Sequence, residues 1–219
     1  MIKRAHKAGV KKIICIGTSH EDSLAACEFA NKHDNVYWTY GIHPESAGRV
    51  LSEPVALDGA IAIGEVGLDY HYDGYDRKAQ IKLFEQMLQL AADNDLPVSF
   101  HVREAYADFF PIVENFPKIR GVVHSFTDSK KVLKRILNET EFYVGVNGLA
   151  TYSTLPTPPI ERILLETDAP FLTPKPFRGI INEPAYVPAI AEWLAVKLGL
   201  DYQIIERETT KNAEELFHI

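Results

Sequence analysis

Long apolar runs are missing: no window of the 219 residues approaches the roughly 18 consecutive apolar positions that a membrane span needs. Met1 to His6, with Lys3 and Arg4, lead into no apolar signal core, so a soluble, cytoplasmic protein without a membrane partner is expected. Cysteine is scarce. Cys15, in an apolar run, and Cys27, in a helical stretch, are the only two, and their spacing suits neither a disulfide framework nor a metal site. Both are expected to be reduced, buried and inert. Positive charge is in deficit, with 23 Lys plus Arg against 30 Asp plus Glu and a net charge of −7. That balance argues against a broad basic face gripping duplex phosphates. It leaves a nucleic-acid substrate open, because metal ions and a few local arginines can hold a phosphate inside an acidic protein. Glycine-rich phosphate loops are absent as well: Gly64 and Gly67 bracket Glu65 and Val66, but the rest of either loop pattern is lacking.

What is present has the composition of an ordinary globular protein, 46% hydrophobic and 24% charged. Seven short apolar runs read as buried strands: 11–17, 36–41, 61–65, 97–102, 121–124, 142–146 and 162–166. Their starts recur about every 25 residues, the size of a compact strand–helix unit. Helices are predicted over 77–94, with Ile81, Phe84, Leu88 and Ala91 on one face, and over 187–198 and 201–217. Ser19 with Asp22 makes a capping box for a helix through Ala30, and Asp128 or Ser129 caps one running to Asn138.

Alternating strands and helices imply an α/β fold with a parallel sheet and right-handed crossovers. Without nucleotide-binding fingerprints, a TIM-type (β/α)8 barrel is expected over a doubly wound sheet. Seven runs are one short of eight, and a helix over 1–8 stands where the first strand of a barrel belongs. A single barrel domain over 1–219, lacking that first strand and so N-terminally incomplete, is the expected organisation. The link 148–161 is too rich in proline for the helix that a regular barrel has there.

Active sites of such barrels lie at the C-terminal ends of the strands. Glu65 closes the third run, His101 the fourth and His124 the fifth, while Asp168 follows the seventh. Taken singly, each has an ordinary explanation, as a histidine satisfied at a strand end or a glutamate capping a turn. Together they form an imidazole and carboxylate set suited to zinc, manganese or iron, in which a carboxylate can bridge two ions. The reaction class this predicts is metal-assisted hydrolysis. His43, just past the second strand, opens onto the same mouth as a substrate contact or a turn former. Arg103 shares the side of His101, and Arg178 and Asn182 lie in the loop after the last strand. Two arginines near one mouth favour an anionic substrate. Tyr70, Tyr72 and Tyr75, like Trp38 and Trp193, are expected to serve packing more than base stacking.

At GIHPE, AIGEVGLDYHYD, FHVREA, VVHSFTD, ETDAPFL and FRGIINEP the sequence resembles the TatD family of metal-dependent deoxyribonucleases, within the amidohydrolase-like barrels. The six motifs occur in the family's order over nearly the whole chain, and TTKNAEELF is similar to its closing helix. The resemblance implies one or two divalent ions, Mg²⁺ or Mn²⁺ for activity with Zn²⁺ also compatible. It implies phosphodiester hydrolysis in DNA, often 3′ to 5′ on single-stranded ends, with no obligate protein partner. Glu65 would be shared by two metals, His101 and His124 would complete one site, and Asp168 would hold the other metal and orient or deprotonate the attacking water. Arg103, His43, Arg178 and Asn182 would contact substrate. The family's first strand carries an H-x-H motif, and no H-x-H occurs in this sequence. Two alternatives follow: a metal-dependent hydrolase of a small amide, lactone or ester, and an inactive metal- or nucleic-acid-binding module.

Overall fold

The computed structural model describes residues 1–48 and 57–219, divided between two compact units, 14–121 and 1–13 with 122–219. Each of the seven expected strands is found: β1 (Ile13–Cys15), β2 (Val36–Tyr40), β3 (Ala62–Asp69), β4 (Val98–Arg103), β5 (Gly121–Val123), β6 (Tyr143–Val146) and β7 (Ile163–Leu165). The helices are α1 (Ile2–Lys7), α2 (His20–Ala30), α3 (Arg77–Asp93), α4 (Tyr106–Glu114), α5 (Lys130–Glu139), α6 (Val187–Leu198) and α7 (Tyr202–Phe217). The fold is α/β, with parallel strands alternating with helices as in a TIM-type barrel. Among the described residues no helix is long and apolar enough to cross a membrane.

Within 14–121, β2 pairs parallel with β3 and β3 with β4. The third apolar run does not stop at Glu65, as its hydrophobicity suggests, but continues as strand to Asp69. Along EVGLD, Val66 and Leu68 are fully buried, while Glu65, Gly67 and Asp69 alternate with them toward the other side. The register sets Gly67 against His101 and Asp69 against Arg103. Behind β3 and β4 sits an aromatic core, in which Phe100 lies 6.1 Å from Phe84 and 5.3 Å from Phe109 between ring centroids. α3 buries Leu83, Phe84, Met87, Leu88 and Ala91, a stripe turned toward Leu83 and Met87 and away from the half-buried Ile81. Ser19 caps α2 by accepting from the Asp22 N–H, and the Asp22 carboxylate accepts in return from Thr18, one residue before the cap. Cys15 and Cys27 are free and half-buried rather than buried, and burial pushes the Cys15 thiol up.

Within the second unit, β5, β6 and β7 pair parallel in chain order. Ile163, Ile190, Leu194 and Ile205 form its apolar centre, joining β7 to α6 and α7. The buried Asn212 of α7 donates to the carbonyls of Ile160 and Ile163 at 2.8 and 2.9 Å, tying the helix to the strand. Ser129 is the residue that caps α5. The proline-rich link carries no α-helix, only the short 3-10 turns Gly148–Tyr152 and Ile160–Arg162.

Candidate metal centres

In 14–121, the side chains of Glu65, Asp69 and His101 meet between β3 and β4. His101 Nδ1 lies 2.7 Å from Glu65 Oε1, and Nε2 lies 3.1 Å from Asp69 Oδ2. Burial disfavours a charged His101, but its bonds to Asp69 and Glu65 outweigh that and carry its pKa up to about 9. Burial acts against an ionised Asp69 too, yet the His101 bond and the backbone N–H of His71 bring its carboxyl below the usual range. Asp69 is the anchored partner: its Oδ1 accepts from the His71 N–H at 2.9 Å, and its own backbone is gripped by Gln80 of α3. A carboxylate so held fixes Nε2–H and leaves Nδ1, beside Glu65, to face a metal ion.

His43, Glu65 and His101 bring ligand atoms within 4.8 Å of one another. The hydrogen bonds of His43 favour another part for it. Its Nδ1 accepts from the Glu45 N–H at 3.3 Å, and burial together with the nearby His101 lowers its pKa. A neutral ring that accepts at Nδ1 carries its proton on Nε2, which points 4.0 Å from Glu65 Oε1. That arrangement suits His43 to donate a hydrogen bond toward Glu65.

In the second unit, His124, Glu166 and Asp168 also bring ligand atoms within 4.8 Å of one another. His124 Nδ1 lies 2.9 Å from Glu166 Oε2, and Nε2 lies 2.9 Å from Asp168 Oδ1. Glu166 is the anchored carboxylate here, since Oε1 accepts from the Ser125 N–H at 2.6 Å. Its head group lies against the bare α-carbon of Gly145, where a Cβ would collide with both carboxylate oxygens. Nδ1 of His124 thus meets the anchored Glu166, and Nε2 with Asp168 is the pair that could hold an ion. Each cluster pairs a histidine nitrogen with a carboxylate oxygen, donors that fit a divalent cation of the zinc or manganese type.

Asp69 and Glu166 are absent from the residues expected from the sequence. Both stand at strand spacing from an expected one, Asp69 four after Glu65 and Glu166 two before Asp168, and that even spacing is the signal that could have found them. Arg103 lies 5.3 Å over the Tyr72 ring. Tyr72 and Tyr75 are 55% and 42% exposed, yet Tyr75 stacks on Tyr70 with ring centroids 4.6 Å apart and Tyr72 meets His71 edge to face. Asn182 is buried and donates to the Phe171 carbonyl at 2.6 Å while its Oδ1 accepts from the Glu183 N–H, which commits its side chain to bracing the loop. Arg178 lines a recess beside Tyr152.

A family model described as TatD related DNase matches residues 1–218. The chain belongs to the TatD family. Relatives in the TatD family include the uncharacterized metal-dependent hydrolase YabD of Bacillus subtilis, 34% identical across all of this chain and 92% of that protein. Another is the 3′-5′ ssDNA/RNA exonuclease TatD of Citrobacter rodentium, 33% identical across all of this chain and 91% of that one. Among solved structures, the TatD homologue YjjV of Escherichia coli K12 superposes with a TM-score of 0.86 at 26% identity, covering 99% of this chain and 90% of that one. A TatD family hydrolase from Entamoeba histolytica gives 0.89 at 24% identity over 98% and 87%, a likeness of fold. The protein is a metal-dependent hydrolase of the TatD family.

Proposed function

We propose that this TatD-family hydrolase cleaves phosphodiester bonds of DNA, working from the 3′ end of single strands. The observation that carries the reading is the repeated arrangement of a histidine held by an anchored carboxylate and turned toward a second one, His101 with Asp69 and Glu65, His124 with Glu166 and Asp168. The names of relatives such as the Citrobacter rodentium exonuclease add support for the substrate class. Glu65 and His101 would hold one divalent ion and His124 and Asp168 another. Such an ion supplies Lewis acidity, acidifying water near neutral pH and drawing charge from the phosphoryl group. The remaining work falls to the chain. Asp168 orients the attacking water and takes its proton as the P–O bond forms; the bond to the leaving oxygen breaks, that oxygen takes a proton from solvent, and Asp168 returns its own to solvent. His43 donates through Nε2–H to a phosphate oxygen, and Arg103 and Arg178 grip the anionic strand. Asn182 acts indirectly, by holding the loop that carries Arg178.

The test is cleavage of end-labelled single-stranded DNA with Mg²⁺ or Mn²⁺, against a chelator control and Asp168→Asn. Chelator-sensitive shortening, reduced roughly 10²- to 10⁴-fold in the variant, is the expected outcome. Full activity in Asp168→Asn would remove Asp168 from the mechanism, and turnover of small esters but no nucleic acid would replace the substrate.

A further inference from the structure

We infer that the recess beside Tyr152 is a strand-holding subsite that takes a nucleotide flanking the one at Asp168, its phosphate on Lys175 and Arg178, which the Tyr152 ring holds, and its base against Leu149 and Leu172. The recess has a volume of about 290 Å³ and is lined by Leu149, Tyr152, Leu172 and Arg178 among others. That is near the lower end of small-molecule sites and of the size of one nucleotide.

Three observations bear on its occupant. The Lys175 ammonium lies 5.0 Å and the Arg178 guanidinium carbon 5.3 Å from the Tyr152 ring centroid. Among the described residues neither head group makes an ion pair or hydrogen bond to a carboxylate. Two cations held together without acidic partners, in a chain of net charge −7, form a local anion site. The ring is fixed as well: Tyr152 Oη donates to the Thr173 carbonyl at 3.1 Å, so the two cations over its ring are held in place. Leu149 and Leu172 provide the apolar wall that a base needs and inorganic phosphate does not.

The recess is also tied to Asp168. Leu172 is four residues beyond it, so their α-carbons are at most about 14 Å apart. Ser125 Oγ bridges Asp168 Oδ2 at 3.4 Å and the Asn147 amide at 2.7 Å, and Asn147 in turn caps the Leu149 N–H at 3.0 Å. The loop from 172 to 174 crosses directly over Gly148, where a Cβ would strike the Leu172 carbonyl. One wall of the recess is thereby locked to the side chains around Asp168.

The inference rests on the phosphodiesterase reading for the identity of its ligand, and its test separates the two. A fluorescent hexathymidylate with hydrolysis-resistant phosphorothioate links is titrated into the Mg²⁺-loaded protein. Lys175→Ala is expected to weaken binding about 5- to 10-fold and to lower the slope of log affinity against log salt by about 0.7, the loss of one phosphate contact on a single strand. Tyr152→Leu, which removes the ring that positions both cations, should weaken it about 5-fold, and Tyr152→Phe should restore it. Thymidine monophosphate should compete better than inorganic phosphate. No strand binding by the wild type, wild-type affinity in both Lys175→Ala and Tyr152→Leu, or equal competition by the two phosphates would each overturn the subsite. Cleavage of ordinary DNA by variants of unchanged affinity would sink the subsite alone. Strand binding that depends on Lys175 and Tyr152, without cleavage, would sink the phosphodiesterase reading alone.

Discussion

A histidine with a carboxylate on each ring nitrogen holds a proton that a metal ion must displace. For His101 the sign of the pH effect follows directly. Its pKa of about 9 in the folded, metal-free chain stands above the ordinary 6.5, so the folded state binds the proton more tightly. The stabilisation is complete below about pH 6.5 and is lost as pH rises through about 9. In chelator, the melting temperature should therefore fall between pH 7 and 9, by the equivalent of at most about 3 kcal/mol, and His101→Gln should flatten the profile. Metal binding there should weaken toward low pH, with release of a proton. At the other cluster, Glu166→Ala frees His124 to turn. A metal affinity roughly 10- to 100-fold lower, measured by competition with a chromogenic chelator, is expected. The four residues expected as ligands stand out in the sequence because each is a polar residue inside or just after an apolar run, a pattern visible locally. Asp69 and Glu166 do not, since their significance lies in the backbone N–H groups of His71 and Ser125 that anchor them.

At the scale of elements, α3 does more than cover the sheet. Gln80, 4% exposed, accepts from the Asp69 N–H and donates to the Asp69 carbonyl, both at 2.8 Å, as a neighbouring strand would. Gln80→Ala leaves both backbone groups buried without partners, which costs about 2 to 4 kcal/mol in denaturant unfolding. The same variant should lower metal affinity, because Asp69 then holds His101 less firmly. Helical periodicity located α3, α6 and α7 from the sequence, and polar caps placed the starts of α2 and α5. α4 escaped that reading. It has only nine residues with Pro111 inside, and its Phe109, Phe110, Ile112 and Val113 cluster as a run before they form a stripe. β3 was read too short for a related reason: Glu65, Gly67 and Asp69 break the hydrophobic run while the backbone continues extended.

At the scale of the molecule, ions that bind only the folded chain raise its stability in proportion to RT ln(1 + [L]/Kd), about 2.7 kcal/mol at a hundredfold excess over Kd. Adding Mn²⁺ to the chelator-stripped protein should raise the melting temperature by several degrees in differential scanning calorimetry. An unchanged melting temperature at saturating Mn²⁺ would count against both centres. The amino-acid order by itself determined the α/β class, the seven strands and the principal helices, because burial of an apolar face imposes a period that any short window displays. It also determined the TatD family, through motifs that keep their order along the chain. Only the tertiary structure decided which nitrogen of each histidine meets an anchored carboxylate and which meets the other one. Those bonds join residues 32 positions apart for His101 and Asp69 and 42 apart for His124 and Glu166, and a hydrogen bond is directional over about 3 Å. Local periodicity carries no information at that range; the pairing of strands and the anchoring of carboxylates by backbone N–H groups supply it.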